Sequence, residues 1–142
     1  MELGIGGRRA IVTGASIGLG RAITVALAEE GVTVLAVARR GELLDELAEE
    51  VAARGHATVH PLVADITGLE AAAHIRAAAI ERLGGVDILV NNAGGSRPTT
   101  WDAPEEAWQE SMELNFHAHR RLTQAVIPDM RAAGWGRGIS VT

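Results

Sequence analysis

Four clusters of residues have the types and spacing that chemistry needs. The first is Thr13-Gly14-Ala15-Ser16-Ile17-Gly18-Leu19-Gly20, set between the apolar run Ala10-Ile11-Val12 and an Ala-rich run from Arg21 to Glu30. That pattern predicts a strand, a glycine turn and the start of a helix. Glycines let a ligand come close to the main chain. The free N–H groups of a helix's first turn make an anion site suited to a phosphate or pyrophosphate. The spacing Gly-x-x-x-Gly-x-Gly is one residue wider at the front than the Gly-x-Gly-x-x-Gly dinucleotide fingerprint. The second cluster is Arg39-Arg40, the third Asp65-Ile66, and the fourth Asn91-Asn92-Ala93-Gly94-Gly95, each just after an apolar run. An arginine in such a place can hold a phosphate as a charged, bidentate fork.

Composition excludes several chemistries. A length of 142 residues fits one domain with one real core. Hydrophobic residues are 47% and charged residues 22%, the balance of an ordinary globular chain. A net charge of −5 argues against a nucleic-acid partner. There is no cysteine, hence no disulfide, thiolate nucleophile or Cys-based metal site. Met1 to Gly7 lacks an apolar core of signal-peptide length and no run reaches membrane-span length, so a cytoplasmic protein with no membrane partner is expected. No metal is expected either. His117 and His119 are two apart on a helix and diverge, and His56, His60 and His74 lack ligand-spaced partners. All thirteen basic residues are Arg, and there is neither Lys nor Tyr. A mechanism that needs a Lys ammonium or a Tyr phenol cannot run on these residues alone.

The elements that must position the clusters alternate. Strands are predicted at Arg9–Thr13, Thr33–Ala38, Thr58–Val63, Val86–Val90 and from Ile139 onward. The runs are short, apolar and β-branched, as in a parallel sheet buried on both faces. Pro61 cannot donate to a ladder, so the third strand is expected at or near a sheet edge. Helices are predicted at Gly18–Glu30, with Ala22, Ile23, Ala26 and Leu27 as the buried face, and at Glu42–Arg54, with Leu43, Leu44, Leu47 and Val51. A third helix should open on a capping box, Thr67 with Glu70, and run to Leu83. A fourth should open on Asp102 with Glu105 and run towards Pro128 or Met130. Trp101, Trp108 and Trp135 are expected to pack. The order β-α-β-α-β-α-β-α-β implies an α/β fold, a doubly wound parallel sheet of Rossmann type. All four clusters then gather at the carboxyl ends of strands, where such sheets bind ligands.

On these residues the chain resembles the short-chain dehydrogenases/reductases. The turn Thr13–Gly20, Asp65, Asn91-Asn92-Ala93-Gly94 and Asn115 match that family's motifs in order, over the whole chain from Arg8 to Thr142. The resemblance implies a nicotinamide dinucleotide, with Gly14, Ser16, Ile17 and Gly20, and Gly18 in the same turn, at the pyrophosphate and adenosine ribose. It implies Asp65 and Ile66 at the adenine, Asn92, Ala93 and Gly94 beside the nicotinamide ribose, and Asn115 as a catalytic Asn. Asn91 is expected to be structural, a satisfied buried amide pinning neighbouring strands. NAD enzymes of this fold place a carboxylate after the second strand. Here Arg39 and Arg40 stand there instead, so NADP(H) is expected in preference to NAD(H).

The resemblance also implies hydride transfer between the nicotinamide and a small carbonyl or alcohol substrate, in a homo-oligomer (dimer or tetramer) when full length. It further implies a Ser, a Tyr and a Lys that handle the proton together with the Asn, and of those four only Asn115 is here. The domain at 1–142 is therefore expected to be the cofactor-binding half, truncated after the fifth strand and inactive alone. The alternative is a non-catalytic dinucleotide-binding module, such as a truncated paralogue or sensor. A different Rossmann-like protein, such as a methyltransferase, would lack a reason for Asn91–Gly94 and Asn115.

Overall fold

Short apolar runs become buried strands, and glycines end the helices between them. The computed structural model describes residues 1–142. Its elements are β1 (Arg9–Thr13), α1 (Gly18–Glu29), β2 (Thr33–Ala38), α2 (Gly41–Ala53), β3 (Val59–Val63), α3 (Ala71–Leu83), β4 (Ile88–Asn91), α4 (Glu105–Met112), a π turn (Glu113–His117), α5 (Ala118–Ala133) and β5 (Arg137–Ser140). All strand pairings are parallel, in the order β3-β2-β1-β4-β5. The chain winds outward from β1 to β3 and then returns to the other side of β1 as β4. Strand order therefore reverses between β1 and β4, the switch point of a Rossmann-type sheet. No helix is long and apolar enough to cross a membrane.

Alternate strand residues feed two cores. Ala10, Val12, Val34, Ala36, Ile88 and Val90 meet Leu44, Leu47 and Val51 of α2 and Ala28 of α1. Ile11, Leu35, Val37 and Leu89 meet Ile75, Ala78 and Ala79 of α3 and Leu122 and Val126 of α5. Pro61 lies on the edge strand β3, and the Arg82 guanidinium donates to its carbonyl at 2.5 Å. A paired carbonyl and a proline both blunt an open edge. At the other edge, β5 is exposed along its length.

The ends of β1 and β4 opposite the clusters are locked by one ion pair. Arg9 Nε donates to Asp87 Oδ2 at 2.9 Å and a terminal nitrogen of Arg9 to Oδ1 at 3.1 Å, while the Arg9 amide also donates to Oδ2 at 2.9 Å. The Asp87 side chain is 4% exposed. The Arg9 hydrogen bonds hold its carboxyl below the usual carboxylate range, against the opposing effect of burial.

Several local expectations are corrected. In α1 the buried row is Gly20, Thr24 and Ala28, not Ala22 and Ala26, which are exposed. Small residues four apart let the helix sit close to the sheet, and the Thr24 hydroxyl is satisfied by donating to the Gly20 carbonyl. Neither capping box forms. Thr67 gives its amide and hydroxyl to Asp65 Oδ1, and α3 starts later, at Ala71. Asp102 accepts from the Thr100 hydroxyl, and α4 starts after Pro104 with no side-chain cap. The last helix carries Pro128 inside it and ends at Ala133. Trp101 is 92% exposed and Trp108 is exposed too, whereas Trp135 stacks against the guanidinium groups of Arg8 and Arg137.

Removing Arg9 leaves a carboxylate buried without its partner, so Arg9→Ala is expected to cost about 2–3 kcal/mol near neutral pH. The folded pKa of Asp87 lies below its unfolded value of about 3.9. The pair's contribution is therefore complete above that value and is lost as pH falls through the lowered folded one. Urea unfolding of both proteins at about pH 7 and about pH 3 should show the gap narrowing at acid pH. A gap of equal size at both would contradict the assignment.

Candidate functional site

The site begins where β1 and β4 leave the sheet. Thr13, 1% exposed, accepts hydrogen bonds at its hydroxyl from the amides of Asn92 and Ala93, both at 3.0 Å. Its own proton goes to the Val90 carbonyl at 3.4 Å. The Asn92 side-chain amide donates to the carbonyls of Thr13 and Gly14 at 3.2 Å. The glycine turn and the Asn91–Gly95 segment are thereby one stitched unit. The approach is close enough to exclude side chains. Gly14 has φ +64°, and a Cβ there would stand 2.8 Å from the Ala93 Cα. A Cβ at Gly20 would collide with the Gly14 carbonyl and the Asn92 amide.

Above this seam the start of α1 is open. Ile17, at the N-cap position, makes no side-chain cap, and the first turn holds no acidic residue. The amides of Gly18, Leu19 and Gly20 have no protein acceptor. Gly18 has φ +58°, and a Cβ on it would meet no atom within 4 Å, so the bare backbone faces free space. Three free N–H donors on the positive end of a helix form a cradle that fits a pyrophosphate.

A cleft of about 550 Å³ extends from this cradle. Gly14, Ser16, Ile17, Arg39, Asp65, Ile66, Asn92, Ala93 and Gly94 all line it. The volume is in the range of small-molecule and cofactor sites. Gly18, Gly20 and Asn115 do not line it; Gly20 is buried under the turn, and Gly18 is exposed beside it. Arg39 and Arg40 are exposed at the end of β2, and neither side chain has a hydrogen-bond or ion-pair partner. Asp65 is held below the usual carboxylate range first by the Thr67 amide, then by the Thr67 hydroxyl, with the field of Arg39 adding to both. Two unpaired cations beside an ionised acceptor offer both phosphate and amine or hydroxyl recognition.

The far side of the site is a helix. The π turn presents the Asn115 side chain, whose Oδ1 accepts from the Gly95 amide at 3.1 Å and whose Nδ2 donates to the Gly95 carbonyl at 2.8 Å. Gly94 passes so close that a Cβ on it would stand 2.7 Å from Asn115 Oδ1. One turn on, the His119 ring donates through Nε2 to the Ala93 carbonyl at 2.5 Å. Another turn on, Thr123 accepts from Asn91 Nδ2 at 3.0 Å and donates to the His119 carbonyl at 2.8 Å. Asn91 is buried at 2% exposure, so it is structural, but it pins its strand to α5 and not to a neighbouring strand. Its Oδ1 is buried without a partner, so the amide is not fully satisfied. The acidic end of the cleft holds Glu110 and Glu113, and the Arg121 hydrogen bond keeps Glu113 ionised below its usual range.

Sequence reasoning missed the roles of Thr13, His119 and Thr123. Their signal was present: Asn115, His119 and Thr123 recur every four residues, which puts three polar side chains on one helix face. No group of three or more His, Cys, Asp or Glu residues comes together in a metal-binding arrangement.

Comparison with known proteins agrees with this geometry. The sequence profile of the family described as short chain dehydrogenase matches residues 8–142. A short chain dehydrogenase of Pseudocercospora fijiensis is 42% identical over 140 residues, 96% of this chain and 45% of that protein. Among solved structures, a 7 alpha-hydroxysteroid dehydrogenase complexed with NADH and 7-oxo glycochenodeoxycholic acid superposes with a TM-score of 0.93 at 33% identity, covering 97% of this chain and 54% of that one. The L-sorbose reductase of Gluconobacter frateurii, complexed with NADPH and L-sorbose, gives 0.93 at 36% identity, covering 99% and 54%. The chain spans about half the length of the curated relatives it matches.

The Thr13 hydroxyl is the acceptor for two amides. Thr13→Val leaves both without it and should cost about 1–3 kcal/mol in urea unfolding, while Thr13→Ser should cost less than about 1 kcal/mol. Equal losses for the two variants would show that the hydroxyl does not hold the seam.

Proposed function

Because the chain belongs to the short chain dehydrogenase family, we propose that it forms the cofactor-binding part of an oxidoreductase that prefers NADP(H). The observation that carries the reading is the convergence of four strand ends on one cleft beside an uncapped helix start. In this reading the amides of Gly18, Leu19 and Gly20 hold the pyrophosphate, with Gly14, Ser16 and Ile17 beside them. Asp65 and Ile66 take the adenine. Arg39 forks onto the 2′-phosphate, and its lack of any protein partner supports that role. Asn92, Ala93 and Gly94 flank the nicotinamide half. Asn115 orders the wall next to it.

A nicotinamide held there supplies or accepts a hydride at the carbon of a small carbonyl or alcohol. Moving the matching proton needs a positioned acid or base. With no Tyr and no Lys among its residues, this chain offers Asn115 alone from the set that the family resemblance implies. The proton-transferring residues therefore come from outside residues 1–142, and the chain by itself binds cofactor without turning over substrate. We also place it in a homo-oligomer. Trp108, Met112 and Phe116 are exposed at four-residue spacing along the helix, an apolar row that supports a covered face in the assembly.

Calorimetric titration tests the cofactor assignment. NADPH should bind more tightly than NADH, and Arg39→Ala should weaken NADPH about tenfold, the effect of one lost charged hydrogen bond, while leaving NADH nearly unchanged. Equal or tighter binding of NADH to the unaltered chain would overturn the preference.

A further inference from the structure

The geometry points to His119 as a positioning residue that aims one free backbone donor, the Gly94 N–H, at the nicotinamide half of the ligand; this rests on the cofactor reading above. Asn115, His119 and Thr123, four residues apart along the helix, meet Gly95, Ala93 and Asn91 in turn, two residues apart and running in the opposite direction. Each rung holds one residue of the segment that leaves the sheet.

The middle rung differs from the others. Ala93 is held at both ends: its amide donates to the Thr13 hydroxyl, and its carbonyl accepts from His119. That carbonyl belongs to the Ala93–Gly94 peptide. A trans peptide points its C=O and N–H in opposite directions. Tying the carbonyl to α5 therefore turns the Gly94 N–H away from α5. That N–H has no protein acceptor, and Gly94 lines the cleft. Without the imidazole nothing else in the structure holds this carbonyl, and glycine at position 94 lets the peptide plane rotate. The outer rungs do not set this plane, because Asn115 grips Gly95 and Thr123 grips the Asn91 side chain. The Thr123 hydroxyl spends its proton on the His119 carbonyl, so it anchors the histidine's backbone as well.

The test compares NADPH with adenosine 2′,5′-bisphosphate, which carries the adenine half alone. Calorimetry would be run on the 142-residue chain and on His119→Ala, His119→Phe and His119→Gln. Phe fills the space without a donor, and Gln reaches a similar distance with an N–H. The Ala and Phe variants should bind NADPH about 3–10-fold more weakly, the effect of one lost hydrogen bond. Their affinity for the bisphosphate should stay within about twofold, which also reports that the fold is intact. Gln should recover most of the NADPH affinity. Unchanged NADPH affinity in both Ala and Phe variants would overturn the assignment. So would equal weakening of both ligands, or a Gln variant no better than Ala. If the unaltered chain binds neither ligand, the cofactor reading itself falls and this one with it.

Discussion

The hydroxyl of Thr13 is the point on which the site depends. Where strand order reverses, the ends of β1 and β4 part and open a crevice, and nothing in the ladder holds them at a fixed separation beyond it. One buried oxygen does so by accepting two amides from the opposite segment. The Asn92 side chain returns the contact to the Thr13 and Gly14 carbonyls. Both sets of bonds require the two backbones to approach as closely as they do, which is why Gly14 and Gly20 leave no room for a Cβ. The first amides of α1 are free because a helix's first turn has no intrahelical acceptor for them and Ile17 supplies no cap, and at Gly18 the backbone faces open space. The closed seam sets this helix start at the switch point, with the Arg9–Asp87 pair fixing the opposite ends of the same two strands.

The helix side solves a different problem. A segment leaving a sheet loses its ladder partners, and its backbone groups need new ones. The helix from Glu105 to Ala133 supplies them with side chains. The π turn at Glu113–His117 sits where Asn115 meets Gly95 in a two-way, backbone-like pair, and π turns of this kind concentrate at functional sites. The Arg121–Glu113 pair spans the same turn. The result is a loop fixed from two directions, by the sheet through Thr13 and by the helix through Asn115, His119 and Thr123. A ligand that meets such a wall pays little ordering entropy on binding.

Much of this was legible in the sequence, and the reasons for the rest are physical. The strands read clearly because a parallel sheet covered on both faces demands continuous apolar runs, and Pro61 pointed to a place at or near an edge. The cleft was legible because its polar and glycine residues follow those runs directly. The buried face of α1 was legible only in part: Ile23 and Leu27 do pack against the core, but close packing puts Gly20, Thr24 and Ala28 deepest and leaves Ala22 and Ala26 exposed. The capping boxes at Thr67 and Asp102 failed to form because each side chain found a nearer partner two residues away, Asp65 and Thr100 respectively. The Asn115–His119–Thr123 row was hidden because three polar residues at helical spacing read as a solvated face until the opposing loop is known to lie against them.

The central claim is that one cleft at the β1–β4 switch point holds a nicotinamide dinucleotide along its length. It is tested most directly by following the backbone amide resonances of the isotopically labelled chain as NADPH is added. The account predicts that the largest shifts fall on Gly18–Gly20, on Arg39 and Ile66, and on Ala93–Gly95, with the amides of the opposite sheet end, around Arg9 and Asp87, left in place. Shifts centred anywhere else, or confined to the Arg39 rim with Ala93–Gly95 unmoved, would contradict it.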